Sequence, residues 1–307
     1  MAATKGTAAG KLYDVIIVGG GPAGLSAALV LARCRRRVLV CDDGQYRNAA
    51  SRGVHGLLFQ DGTAPADLLR RGRREVRGYG AEIRSVRVDD ARSTREGFRV
   101  DLADGRRETA RKLLLATGIK DRLPEVGGVL PLYGKSVFHC PYCDGWETQG
   151  GAVAAYGWGV TGIDYALGLT TWTDDIILFS DGHRIPAAER ARLQANGVGM
   201  REEKVARLEG TKGKLARVVL ETGEAVDRSA LFFHLGFEQR SHLAQRLASR
   251  VTRRGIVQRD RLGSTGVPGL FVAGDACGDV QFVAVAIAEG AKSAVAINRS
   301  LRMEQRG

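Results

Sequence analysis

Four apolar residues, Val15 to Val18, follow Asp14 and stop at Gly19-Gly20-Gly21-Pro22. A short apolar run cut off by turn residues predicts a buried strand, and the Ala- and Leu-rich stretch from Leu25 to Arg33 predicts a helix behind it. Val38 to Cys41 is a second apolar run, closed by Asp42-Asp43. Strand, glycine turn, helix and strand make a βαβ unit, so a parallel sheet is expected. The pattern returns roughly 140 residues further on, which marks a repeated supersecondary unit. There Ala152 to Tyr156 predicts a strand, Gly157 to Gly162 a turn, Ile163 to Thr171 a helix, and Ile176 to Phe179 a strand closed by Ser180-Asp181. A last apolar run, Leu270 to Ala273, ends in Gly274-Asp275 and is followed by an Ala-rich helix from Val280 to Ser300. The fold class is α/β, with two Rossmann-like dinucleotide-binding domains of three layers each. Leu123-Pro124 and the stretch from Gly236 to Arg240 read as hinges. The first domain is then discontinuous, 1–123 plus 241–307, and the second, 124–240, is inserted into it.

The glycine turns carry the first candidate chemistry. Gly19-x-Gly21-x-x-Gly24 follows a strand and opens a helix, with Pro22 and Ala23 completing the turn. Glycines there allow a tight turn, close approach of a pyrophosphate, and close packing of helix on strand; the phosphates sit on the helix N-terminus. Asp42 comes 23 residues after Gly19, at the end of the next strand, where an acid accepts a hydrogen bond from a ribose hydroxyl. This loop alone does not choose its dinucleotide. The second acidic strand end, Gly274-Asp275, suits the ribityl or pyrophosphate region of a flavin. The later loop, Gly157, Gly159 and Gly162, has the same spacing with the bulky Trp158 set in it. Asp181, 24 residues after Gly157, suits the free ribose of NADH. A 2′-phosphate wants a cluster of cations, and Ser180-Asp181-Gly182-His183-Arg184 offers one Arg beside a repelling Asp, so NADPH is disfavoured. Two readings of this loop stand: an NADH site, or a retained fold that no longer binds a nicotinamide nucleotide.

Composition narrows the classes. The 307 residues are 44% hydrophobic and 26% charged, a soluble globular balance. The formal net charge is +12, but the Arg residues are scattered and no nucleic-acid-binding motif is present. The basic surface is then either simply solvated or steers an acidic redox partner. The apolar stretch from Val15 to Ala32 is broken by three glycines and Pro22, which argues against a membrane span. The opening residues, MAATKGTAAG, are small and polar and carry no secretion signal. Of five cysteines, Cys34, Cys41 and Cys277 stand alone, which is not the pattern of a secreted disulfide scaffold. A cytoplasmic, reducing location is expected.

Cys140 and Cys143 are the chemical centre, in His139-Cys140-Pro141-Tyr142-Cys143-Asp144-Gly145. Two intervening residues let both sulfurs lie on one turn and close a disulfide, and one thiol of such a pair attacks a partner's disulfide. A structural zinc needs a second Cys or Cys/His pair at ligand spacing, so no metal is expected. Asp144 can relay protons to and from the thiols, or serve as a cap or surface charge. His139 reads as a packed histidine rather than a base.

With these motifs in view, the chain resembles the low-molecular-weight thioredoxin reductases, FAD-dependent disulfide reductases. The resemblance rests on Gly19-Gly20-Gly21-Pro22-Ala23-Gly24, on Ala116-Thr117-Gly118, on Cys140 to Gly145 and on Gly274-Asp275, and covers nearly the whole chain. It implies that Gly19, Gly21, Pro22, Ala23, Gly24, Asp42, Gln45, Thr117, Gly118 and Asp275 hold FAD, with Gln45 preferred over Arg47. It also implies that Cys143 faces the flavin, that Cys140 exchanges with the substrate, and that Asp144 is the acid/base. A homodimer, a rotating inserted domain and a thioredoxin-like partner follow from the same resemblance. Two features depart from the family. Its basic NADPH motif, His-Arg-Arg-x-x-x-Arg after Phe179, is absent, and its Arg-Gln-Ala beside the flavin stands here as Phe282-Val283-Ala284. The Cys-Pro-Tyr-Cys segment is similar to a branch that holds thioredoxin reductase-like proteins working without pyridine nucleotides, and dithiol oxidases of small disulfides. The oxidases often carry His where Asp144 stands.

The expectation is an FAD-dependent thiol–disulfide oxidoreductase. Electrons pass between flavin, the Cys140/Cys143 dithiol and a thioredoxin-like protein or a small dithiol, without NADPH. An O2-dependent dithiol oxidase is the alternative enzyme, and a flavoprotein redox sensor the alternative non-enzyme.

Overall fold

The computed structural model describes residues 12–278 and 280–306. They form two compact α/β units. One takes the described part of Met1–Arg47 with Ala66–Lys120 and Glu238–Gly307; the other takes Asn48–Pro65 with Asp121–Phe237.

In the first unit the sheet runs Glu82–Ser85, Val38–Asp42, Leu12–Val18, Arg107–Leu115, Gly97–Leu102, Val88–Thr94. Leu12–Val18 lies parallel to both Val38–Asp42 and Arg107–Leu115. Arg107–Leu115 serves two neighbours along one edge. Its first half pairs antiparallel with Gly97–Leu102, while Leu113–Leu115 pair parallel with Leu270–Val272. Burial follows this division: positions alternate through the first half, then Lys112 to Leu115 are continuously buried. Alternation suits an antiparallel ladder with one wet face, and continuous burial suits a parallel sheet covered on both. Val15, Ile17, Ala28 and Leu31 belong to the core on one face, with Ile297 and Leu301 of the long helix Val283–Glu304. Ile16, Val18, Leu39 and Leu113 fill the other. The predicted first helix starts earlier than Leu25: it spans Pro22–Arg33, because Pro22 fills the first helical position, where its missing N–H costs nothing.

The second unit is built on five parallel strands in the order Gly199–Arg201, Ile176–Phe179, Val153–Tyr156, Ala230–Phe233, Val137–Phe138. Phe179, Leu231 and Phe233 pack on one face, and Leu178, Phe232 and Ile163 on the other. A separate antiparallel ladder joins Val205–Thr211, Lys214–Leu220 and Ala225–Asp227. The helix expected from Ile163 lies at Gly159–Gly168, and its last residues tighten into a 3-10 turn, Leu169–Thr171.

Candidate functional site

In the first unit, the loops singled out in the sequence all leave the carboxyl ends of parallel strands. They are residues 19–24, 42–45, 116–118 and 273–275. Ligands bind at this edge of open α/β sheets. The three glycines of the first loop are held by different forces. Gly19 has φ +106, and a Cβ there would overlap the Ala116 carbonyl oxygen. A Cβ on Gly24 would overlap the Gly19 oxygen. Gly21 has an ordinary φ of −77, and no protein atom lies within 4 Å of where its Cβ would sit. Neither conformation nor packing demands glycine at 21, and the space beside it is open. Gly21 is also the N-cap of Pro22–Arg33 and leaves its first amides without a side-chain cap, a helix start suited to phosphate.

The other candidates of this unit have partners. Ala23 is buried, with Gly274 and the Gly290 backbone against it, so its methyl group serves packing. Asp42 is 5% exposed; its carboxylate accepts hydrogen bonds from the Tyr46 hydroxyl, from Arg73 Nη2 at 2.9 Å and from the Gly44 amide at 3.2 Å. Asp275 forms an ion pair with Arg47 at 3.1 Å. Gln45 Oε1 accepts a hydrogen bond from Arg240 Nη1 at 3.3 Å. Gly118, at φ +66, opens on free space, with the half-buried Thr117 before it.

In the second unit, the edge strand Val137–Phe138 leads into His139, and Cys140 caps the four-residue helix Pro141–Asp144. Cys140 and Cys143 are disulfide-bonded, with Cα atoms 5.3 Å apart. The amides of Cys143 and Asp144 both donate to the Cys140 carbonyl at 3.2 Å, which closes the turn. Burial pushes the thiols of Cys41 and Cys277 up to about 12, which keeps them out of thiolate chemistry. Asp144 behaves differently from an ordinary carboxylate. Burial, and then the charge of Glu147, push it up to about 7, with His55 pulling the other way. It can therefore hold or release a proton at neutral pH. His139 is partnered, as expected: its Nδ1 lies 3.7 Å from Asp121, and its carbonyl accepts the Tyr165 hydroxyl at 3.0 Å. Among the described residues no group of three or more Cys, His, Asp or Glu is placed to hold a metal.

The second glycine loop follows Val153–Tyr156 and differs from the first. Gly157 and Gly162 pack against each other, and Gly159 takes φ +61, so packing or conformation accounts for each glycine. Trp158 stacks on His183 with ring centroids 4.4 Å apart and planes 8° from parallel. Asp181 is occupied on both oxygens, by the Tyr156 hydroxyl and by the Val205 amide at 2.9 Å.

Residues 13–290 match the family model described as pyridine nucleotide-disulphide oxidoreductase. The chain belongs to that family. It is 32% identical to the thioredoxin reductase tcpT of Claviceps purpurea, over 86% of this chain and 87% of that protein. It is 30% identical to a probable thioredoxin reductase of Arthroderma benhamiae, over 95% and 81%. The solved structure of HlmI superimposes with a TM-score of 0.91 at 37% identity, covering 95% of this chain and 93% of that one. Within the family the protein is an FAD-dependent disulfide oxidoreductase of the thioredoxin reductase type. Membership implies FAD, with a nicotinamide nucleotide as a possible electron carrier.

Residues that no motif flagged also act on the candidate side chains of this oxidoreductase. Tyr46 and Arg73 reach Asp42 from a loop and a helix whose sequence spacing gave no hint of it. His55 acts on Asp144 from 89 residues away. No helix among the described residues is long and apolar enough to cross a membrane.

Proposed function

We propose that this oxidoreductase reduces the disulfide of a thioredoxin-like protein through Cys140 and Cys143, and draws its electrons from a donor other than NADPH. The observation behind the second part is the second glycine loop. Its aromatic side chain is stacked on His183, and the segment after Phe179 offers Arg184 beside Asp181 rather than a basic motif for a 2′-phosphate. The FAD domain is assigned to 1–123 plus 241–307, less the segment 48–65 that folds with the second unit, and 124–240 carries the dithiol. Gly19, Gly21, Pro22, Ala23 and Gly24 would carry the pyrophosphate, with Asp42, Gln45, Thr117, Gly118 and Asp275 along the rest of the cofactor. The open space at Gly21 and the uncapped helix behind it support that placement. Bound FAD would supply the two-electron carrier that returns the Cys140–Cys143 disulfide to the dithiol.

The chain's own residues perform the exchange. Cys140, as thiolate, attacks one sulfur of the substrate disulfide; a mixed disulfide forms and one substrate thiolate leaves. Cys143 then attacks the Cys140 sulfur, re-forming the Cys140–Cys143 disulfide and releasing the second substrate thiolate. Two electrons have moved to the substrate. Asp144, poised near neutrality, takes a proton from an enzyme thiol and returns it to a leaving thiolate. Cys143 is assigned as the sulfur on the flavin side, and a cytoplasmic homodimer as the setting.

The test is anaerobic. The oxidised holoprotein is mixed separately with NADPH, NADH and dithiothreitol, and the flavin absorbance is followed. Bleaching by dithiothreitol alone, lost in Cys143→Ser with FAD retained, supports the proposal. Bleaching by NADPH overturns its second part. Rapid reoxidation of the flavin in air with peroxide release, and no turnover of a thioredoxin-like disulfide, overturns its first part in favour of an oxidase.

A further inference from the structure

Residues 53–63 fold as a closed loop within the second unit. Val54 and Thr63 form an isolated bridge, with the Val54 amide donating to the Thr63 carbonyl at 2.9 Å and the Gly62 amide to the Val54 carbonyl at 2.8 Å. Asp61 Oδ1 accepts the Gly56 amide at 2.8 Å across the loop. Val54 is buried, so the base is anchored. His55 projects beside that anchor. Its Nδ1 lies 3.6 Å from Asp61 Oδ2, and its Nε2 lies 3.5 Å from Glu147 Oε1. Glu147 sits on the 3-10 turn Trp146–Thr148, directly behind the dithiol helix Pro141–Asp144. A Cβ on Gly53 would stand 3.1 Å from His55 Nε2, so glycine at 53 keeps room for the ring.

We propose that His55 is a positioning residue for the proton chemistry of the dithiol: held by Asp61 and paired with Glu147, the acid three residues beyond Asp144, it offsets the negative charge beside that carboxyl and so keeps Asp144 usable as a proton acceptor. The inference rests on the acid–base reading of Asp144 given above. The groups around that carboxyl explain why a counter-charge matters. From its own segment, Glu147 repels the ionised form; from the helix Gly159–Gly168, Tyr165 adds a hydroxyl but no cation, and Asp121, which also acts on Tyr165, carries the same sign as Asp144. Burial works in the same direction as Glu147, and His55 is the group that opposes both. A protonated imidazole there favours the carboxylate, and a carboxylate is what accepts a proton from a thiol.

The experiment uses the reduced, anaerobic holoprotein and follows its reaction with the aromatic disulfide DTNB from pH 5 to 9. Each turnover oxidises the two enzyme thiols to the disulfide and reduces DTNB to two thionitrobenzoate anions, with two protons released. Asp144→Asn should remove the lower limb of the pH–rate profile. His55→Gln should move that limb up by about half a pH unit, the scale of one exposed charge, which slows the reaction about threefold at pH 6. His55→Lys, which fixes a positive charge in place, should move it down. A merely structural role would move both variants the same way. If both His55 variants keep the wild-type limb while Asp144→Asn removes it, the inference falls and the acid–base reading stands. If Asp144→Asn keeps the limb, both fall. Should His55→Gln not fold, His55→Lys decides alone: a downward shift supports the inference, and an unchanged or upward one overturns it.

Discussion

Alanine at Gly19 and at Gly21 separates two reasons for being a glycine. At 19 the backbone is left-handed and a methyl would overlap the Ala116 carbonyl, so Gly19→Ala should cost on the order of 3 kcal/mol and lower the thermal midpoint with or without cofactor. At 21 the fold tolerates the methyl, so Gly21→Ala should leave the apoprotein within about 0.5 kcal/mol of wild type. If the space above it is where the pyrophosphate sits, the purified variant should lose most of its absorbance near 450 nm relative to 280 nm. Asp144 gives a second prediction, with a definite sign. Its folded value, about 7, lies above its ordinary one, so between the two the folded state holds a proton that the unfolded state has lost. Its contribution is full below about pH 4 and disappears as pH rises through 7. Asp144→Asn, which never ionises, should therefore match wild type at pH 4 and exceed it at pH 8, by on the order of 2–4 kcal/mol. Equal thermal midpoints at pH 8 would show the carboxyl to be an ordinary exposed one. At this scale the sequence was informative about residue types and poor about partners. The Cys140/Cys143 pairing could be read from two intervening residues. That Tyr46 and Arg73 share Asp42, or that Arg47 meets Asp275 from 228 positions away, could not, since nothing local encodes a tertiary contact.

The elements were legible where burial on both sheet faces forces continuous apolar runs, as in Val15 to Val18 and Ile176 to Phe179. Their ends were less so. Gly159–Gly168 begins at a glycine that sequence reasoning gives to the turn, because glycine alone among residues takes its φ of +61 without strain. The three-residue strand Leu270–Val272 was visible, but not that it shares an edge of Arg107–Leu115 with another strand. One element contact carries a prediction. The helix Val283–Glu304 crosses Pro22–Arg33 so closely at Gly290 that a Cβ would overlap the Ala23 carbonyl. Gly290→Ala must push that helix off the turn that starts Pro22–Arg33. The expected cost is about 1–3 kcal/mol in urea unfolding, with weaker FAD retention on dialysis. Retention equal to wild type alongside a lower midpoint would confine the crossing to a packing role.

At the scale of the whole molecule, the fold class followed from the repeated strand–glycine–helix–strand pattern, while the place of residues 48–65 did not. That segment has neither period, and it joins the second unit through contacts such as His55 with Glu147. The formal charge of +12 is likewise a property of the whole. If it steers an acidic thioredoxin-like partner, kcat/KM should fall about tenfold between 50 and 500 mM NaCl, with little change for a small neutral disulfide. An equal response for both would leave the charge as a solvated surface. The late pairing of Leu270–Val272 with Leu113–Leu115 also bears on how the molecule is made. As the ribosome delivers the chain, the last strand of the second unit's sheet, Ala230–Phe233, emerges well before Leu270 does. A nascent chain halted before residue 270 therefore has every strand of the second unit's sheet while the first unit's sheet still lacks one.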